Sequence, residues 1–152
     1  MNEMQSGQEE FATIRHISTI KKPRVFESDV RLVKGKGTKK FGGGPKGCYW
    51  HIYLREKRAG RVFINWVEKN IVPQHASITV ELNVQSRGQG IGTIAFRRAC
   101  ELSQYNEVYA TIRKGNIASR IAAERAGFKP IENWEGRELL MIWKRNREGK
   151  IK

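Results

Sequence analysis

In 152 residues, 29 lysines and arginines oppose 15 aspartates and glutamates, leaving a net charge of +14 with the histidines neutral. That length, with 39% apolar residues, supports one buried core and so a single domain over 1–152, while the charge points to an anionic partner unless it serves only solubility. Two separated cysteines, Cys48 and Cys100, exclude a disulfide framework or a zinc cluster and suit a reducing cytoplasm, and no apolar run nears the roughly 18 residues of a membrane span.

Residues 1–10, "MNEMQSGQEE", are polar, read as disordered, and lack the basic start and apolar stretch of an export signal. From 21 to 46 the chain carries nine lysines and arginines against Glu27 and Asp29, and it is rich in glycine from Gly35 onward. Asp29–Val33 is expected to be a short strand, and 34–47 a mobile basic loop. Three segments then combine β-branched and aromatic residues, "YWHIYLRE" (49–56), "RVFINWVEK" (61–69) and "ASITVELNV" (76–84). They read as an antiparallel meander whose first turn is "KRAG" and whose second is "NIVPQH". From Gln89 to Gln104 the apolar residues Ile91, Ile94, Ala95, Ala99 and Leu102 recur at helical spacing. "EVYATIRK" (107–114) alternates like a strand. A short helix follows over 116–128, with Asn116 as its cap and Gly127 at its left-handed stop, and "ELLMIWKR" (138–145) is a last strand. The order predicts a mixed α/β (α+β) sheet, mostly antiparallel, whose later half holds a strand-helix-strand unit.

The stretch "NVQSRGQGIGT" (83–93) joins the third meander strand to the long helix. A glycine-rich turn there lets a ligand approach the backbone and points the first helical N–H groups at it, which favours an anion. A packing turn without a ligand accounts for the glycines equally well. A dinucleotide fingerprint fails, because the third glycine position falls on Thr93 or on Ala95. Neither "GKGTKK" nor "GGGPKG" supplies the Gly-Lys-Ser/Thr of a Walker loop.

Arg87, Gly90 and Gly92 do match [QR]-x-x-G-x-[GA], and Asn116–Phe128 reads N-x-x-S-R-x-x-A-E-R-A-G-F. With both motifs in this order, residues 49–145 resemble the GNAT superfamily of acyl-CoA-dependent N-acetyltransferases, while 1–48 show no clear resemblance and no pair of N-terminal helices. The resemblance implies a GNAT-like sheet with helices on its faces and acetyl-CoA as co-substrate. Its pyrophosphate would sit on Arg87, Gly88, Gln89, Gly90, Ile91, Gly92 and Thr93. Its pantetheine arm would pair with Leu82, Asn83 and Val84, and Asn116 and Ser119 would meet the arm from the other side. For catalysis the resemblance points to a carboxylate on the strand over 76–84, where Glu81 is the candidate. Alternation places Glu81 on the face opposite Ile78, Val80 and Leu82. Where many members carry an acidic tyrosine this chain has Ala123, leaving Tyr109, His75 and Glu68 as substitutes.

The expected activity is acetyl transfer to an amine. Coenzyme A accounts for only a few of the positive charges, so an acceptor borne by nucleic acid or protein is expected, with the loop 34–47 and the tail 143–152 as its contacts. A polycationic acceptor is disfavoured. The alternative is a catalytically silent module that binds nucleic acid or senses acyl-CoA, and Ala123 favours it. The acceptor, the oligomeric state and the process served are open.

Overall fold

The computed structural model describes residues 22–68 and 74–146. The expected disorder of 1–10, most of "NIVPQH" and the end of the tail lie outside them. The strands are β1 (Val30–Gly35), β2 (Cys48–Leu54), β3 (Lys57–Val67), β4 (His75–Leu82), β5 (Glu107–Ile112), β6 (Lys129–Pro130) and β7 (Leu139–Lys144). Helix α1 spans Ile91–Leu102 and helix α2 spans Ile117–Arg125. They build one seven-stranded sheet in the order β1-β2-β3-β4-β5-β7-β6, antiparallel except where β4 meets β5. The mixed, mostly antiparallel sheet expected from the sequence is therefore present, its strand and helix limits within a few residues of those predicted except for the two-residue β6, which no predicted strand covers.

Both described helices lie on one face. Ile91, Ile94, Ala95, Phe96, Ala99 and Cys100 of α1, with Ala123 of α2, form a single core cluster with Trp50, Ile52, Val62, Ile64, Ile78, Val108 and Met141 of the strands. Leu102, expected on the apolar stripe, is 61% exposed because it sits in the last turn, beyond the sheet that Phe96 and Ala99 cover. Helices "on its faces" thus becomes helices on one face among the described residues.

The other face keeps the alternate residues, including Tyr49, His51 and Tyr53 of β2 and Arg61 and Phe63 of β3. The loop 36–47 folds onto it. Asn65 clasps this loop by accepting from the Gly42 N–H (2.8 Å) and donating Nδ2 to the Lys40 carbonyl (2.7 Å), while Phe41 meets Phe63 edge to face at 5.3 Å. The loop expected from residue 34 thus begins after β1, at 36, and these contacts tie it to the sheet. Its glycines serve close approach: a Cβ on Gly42 would stand 2.3 Å from the Cys48 carbonyl oxygen, and the φ of +76° suits glycine alone.

The first meander turn also differs. The chain reverses at Arg55–Glu56, and "KRAG" belongs to β3, with Lys57 opposite Leu54. A register shift at Ile52/Tyr53 and an ion pair from Arg55 to Asp29 (3.3 Å) accommodate the tighter reversal. The glycine is required by β4, since a Cβ on Gly60 would lie 2.1 Å from the Glu81 carbonyl oxygen.

Two devices fix the helix ends. Asn116 accepts the Ser119 N–H (3.2 Å) as the predicted cap of α2, and Gly127 (φ +105°) with the Phe128 N–H on the Ala123 carbonyl (3.0 Å) ends that helix. Arg145 closes α1. Its guanidinium donates to the carbonyls of Cys100 (3.0 Å), Glu101 (3.3 Å), Ser103 (2.9 Å) and Tyr105 (3.0 Å). Within the described part of the basic tail, Arg145 is therefore committed to the fold and withdrawn from any partner.

Substituting Gly60→Val should lower the unfolding free energy by about 2 kcal/mol or more, read as a reduced urea midpoint at unchanged m-value. An unaltered midpoint would mean that β3 and β4 separate at little cost.

Candidate active site

The decisive geometry lies between β4 and β5. These parallel strands pair only at Ala76 with Val108 and Ser77 with Tyr109, after which β4 continues to Leu82 and β5 to Ile112 with no further register between them. The strands splay into a wedge, open toward their carboxyl ends. Each is followed by a helix, and the first turn of α1 packs on the later half of α2, the Ala122 Cβ lying 3.5 Å from the position a Cβ on Gly92 would take. In an open α/β sheet such a crevice beyond the carboxyl strand ends is the usual ligand site.

The predicted glycine loop forms the rim. Val84–Ser86 make a 3-10 turn, Gly88 (φ +80°) and Gly90 (φ +92°) adopt conformations that favour glycine, and Gly90 precedes α1 without a side-chain cap. Among the described residues the N–H groups of Gly88, Gly90, Ile91, Gly92 and Thr93 have no protein acceptor. A Cβ on Gly88 would meet nothing within 4 Å, so its backbone faces open space. Free N–H groups at the positive end of a helix, next to cations, define an anion site. Arg87 supplies one cation, while its Nε reaches the Leu82 carbonyl at 3.3 Å.

Two further cations were not legible in the sequence. Lys22 donates Nζ to the Gln85 carbonyl (2.6 Å), and the Val25 N–H bonds the Gln89 carbonyl (3.0 Å), so residues 22–25 run along the loop. Arg24 thereby reaches Gly90, its Nη1 2.9 Å from the place of a Cβ there. The contact spans more than sixty positions. No local pattern announces it, beyond the basic run "KKPR" itself.

The remaining predicted residues distribute as follows. Leu82 ends β4, 3.8 Å from the Cβ position of Gly92, but Asn83 turns to β3, with its N–H on the Ala59 carbonyl (2.8 Å) and its Nδ2 on the Arg58 carbonyl (2.9 Å). Val84 is 73% exposed in the turn. The strand edge left unpaired toward β5 therefore lies upstream of the expected 82–84, over Ile78–Leu82. Asn116 and half-buried Ser119 stand at the start of α2, their capping bond formed. Gln89 reaches back to the Gln85 carbonyl at 3.5 Å.

The two catalytic candidates are not together. Glu81 faces away from the helices, ion-paired with Arg61 at 2.6 Å, and lines a shallow cavity of about 350 Å3 with Arg58, Gly60, Leu82 and Asn83. Tyr109 stands where the wedge closes, edge to face with buried His75 at 5.2 Å. Glu81 stands four positions along β4 from Ser77, the partner of Tyr109, which is roughly 13 Å along a strand. At that distance no proton passes directly between them. A second cavity of about 410 Å3 opens beside Tyr109 and is lined by Trp66, His75, Tyr105 and Glu107. Burial, and then the charge of Glu107, raises the Tyr109 phenol above its ordinary value, keeping it protonated at neutral pH. Glu68 lies exposed just beyond β3, its carbonyl accepting the Gln74 N–H at 3.4 Å. Ala123, at the position where the family resemblance expects a tyrosine, is fully buried in the core. Among the described residues no group of three or more His, Cys, Asp or Glu could hold a metal, and no helix is long and apolar enough to cross a membrane.

Both thiols are also raised by burial, Cys100 strongly, as are the phenols of Tyr105 and Tyr109. Groups whose folded values are raised give full stability below their unfolded values and lose it above. The urea midpoint should therefore fall as pH rises from about 9. Cys100 should resist thiol reagents at neutral pH until the chain unfolds.

The profile of the acetyltransferase (GNAT) domain matches residues 14–129. No curated protein matches the sequence significantly. Among solved structures, Mycobacterium smegmatis RimJ in complex with CoA-disulfide is similar at 22% identity and a TM-score of 0.53, over 64% of this chain and 53% of that one. This chain thus spans about half the length of RimJ. AAC(6')-Ib in complex with ribostamycin and coenzyme A is similar at 18% identity and a TM-score of 0.55, over 70% of each chain. A domain from Methanocaldococcus jannaschii DSM 2661 is similar at 20% identity and a TM-score of 0.56, over 66% of this chain and 68% of that one. At these identities the likeness shows a shared fold.

Proposed function

The chain belongs to the GNAT acetyltransferase family, and we propose that it transfers an acetyl group from acetyl-CoA to an amine. The observation that carries this reading is the wedge between β4 and β5 with the uncapped glycine loop at its mouth. The residues present suit the co-substrate. The free N–H groups of Gly88, Gly90, Ile91, Gly92 and Thr93 hold the pyrophosphate, with Arg24 and Arg87 adding charge-assisted contacts. The unpaired edge of β4 over Ile78–Leu82 orients an extended arm as an added strand would. Leu82, Asn116 and Ser119 flank the mouth.

Acetyl-CoA supplies the activated thioester. The chain's own residues bind it, exclude water and handle the protons. An arm anchored at the glycine loop runs down the wedge toward its closed end, where Tyr109 stands with its phenol protonated. Tyr109 therefore serves as the acid that holds a proton for the departing thiol. Glu81, at the open end, serves as a base only through water, or else only as the partner of Arg61. The cavity beside Tyr109 and His75 receives the acceptor amine. The net charge of +14 favours an acceptor carried by a nucleic acid or an acidic protein over a free polycation.

Gly90→Glu should weaken acetyl-CoA binding by about tenfold or more in a calorimetric titration, by placing a carboxylate where the anion belongs. Unchanged affinity would remove the loop from the site. Tyr109→Phe should lower kcat by about a hundredfold with KM for acetyl-CoA little changed, whereas Glu81→Gln should lower it less than tenfold. The reverse order would exchange their roles.

Buried Ala123 favours a second reading, a silent module that binds acyl-CoA without turnover. Release of free thiol from acetyl-CoA in the presence of a cell extract supports the enzyme. Binding without release supports the module.

A further inference from the structure

The positive charge is not spread evenly. Between Val30 and Glu68 stand ten basic residues against two acidic ones, so β1, β2, β3 and the loop 36–47 carry +8 of the total +14. The cations at the glycine loop, Lys22, Arg24 and Arg87, all lie outside this stretch. The excess there belongs to some other anion.

On the face that the described helices leave uncovered, cations and aromatic rings are paired. Tyr53 lies between Arg31 at 5.2 Å and Arg58 at 6.0 Å from its ring centroid, and Arg61 stands 4.4 Å over Phe41. Arg31 and Arg58 are exposed, while Tyr53 and Phe41 are half-buried. The ring of His51 completes the row beside Tyr49 at 5.1 Å, and burial followed by the charge of Arg58 lowers its pKa, which favours the neutral, stackable form. Glu81 is already held by Arg61, so it offers little repulsion to an anion.

We propose that this wing of the sheet binds single-stranded nucleic acid, with Tyr53 and Phe41 as stacking surfaces for bases and Arg31 and Arg58 as phosphate contacts. A polyanion alone would need only the cations. Rings set among guanidinium groups on an open sheet face match a strand whose bases are unstacked and free to lie on them. An acidic protein would use the charges and leave the rings idle. The wing also leads toward the cavity beside Tyr109: the loop that carries Phe41 includes Lys46, whose ammonium lies 5.1 Å over Trp66 at the cavity wall. The strand is thus placed to deliver an amine to that cavity. This last step rests on the acetyl-transfer reading, and the binding itself does not.

The test is fluorescence anisotropy with a labelled oligouridylate and a labelled oligothymidylate of about 12 nucleotides. Either should bind, the tighter one identifying RNA or DNA as the source, and log affinity should fall steeply with log salt. Tyr53→Ala should weaken binding about tenfold and Tyr53→Phe should restore it. Arg58→Gln should flatten the salt slope by about 0.7. Absence of binding at low salt overturns the proposal, as does a Tyr53→Ala variant of unchanged affinity. Displacement of the oligonucleotide by polyglutamate as readily as by unlabelled strand would also overturn it, in favour of an acidic protein. Acetyl-CoA titration of the same variants should match the parent chain. Should Tyr53→Ala lose that as well through misfolding, Tyr53→Phe and Arg58→Gln decide. A parent chain that binds the strand but not acetyl-CoA would sink the enzymatic reading and leave this one standing.

Discussion

The constraint on which the rest of the molecule depends is the brevity of pairing between β4 and β5, two residue pairs where β4 has eight with β3 and β5 has six with β7. Backbone groups along an unpaired strand need partners, and water or a ligand must supply them. The splay persists because each strand is held from its outer side, β4 by a long ladder to β3 and β5 by one to β7. Helix packing completes the arrangement. Both helices bury their apolar faces on the same side, and the first turn of α1 meets Ala122 of α2.

That one-sided packing has a complement. With both described helices on one face, the described part of the chain covers the opposite face with the loop 36–47, which packs on Tyr49 and Phe63. The sheet therefore divides its labour by face and by edge. The carboxyl edge of β4 and β5 is suited to phosphates, the closed end of the wedge holds the tyrosine and histidine, and the β1–β3 wing gathers most of the charge.

Much of this was legible in the sequence, for physical reasons that differ between elements. Alternation and helical spacing are local, so the strands, both helices, the Asn116 cap and the Gly127 stop could be read directly. The glycine loop was legible because backbone conformations with positive φ admit few other residues. What escaped was set by distant contacts. "KRAG" looks like a turn, yet its glycine answers to a carbonyl on β4. The glycines of 36–47 look like a linker, yet Asn65, more than twenty residues away, holds that loop. Arg24 gives no local sign that it reaches Gly90, and Arg145 reads as part of a charged tail until its four carbonyl partners are seen. The separation of Glu81 from Tyr109 likewise needed the register of β4 against β5.

Arg145 also bears on where the anion site can be. A rigid rod gripped at one end has its other end placed as well. Helix α1 is twelve residues long, about 18 Å, and its far terminus is clamped to the end of β7 by that single guanidinium. Axial sliding or rotation of the rod would break several bonds at once. The cradle at Gly90 is thus held in place from the other end of the helix, and its unpaired amides inherit the precision of that clamp.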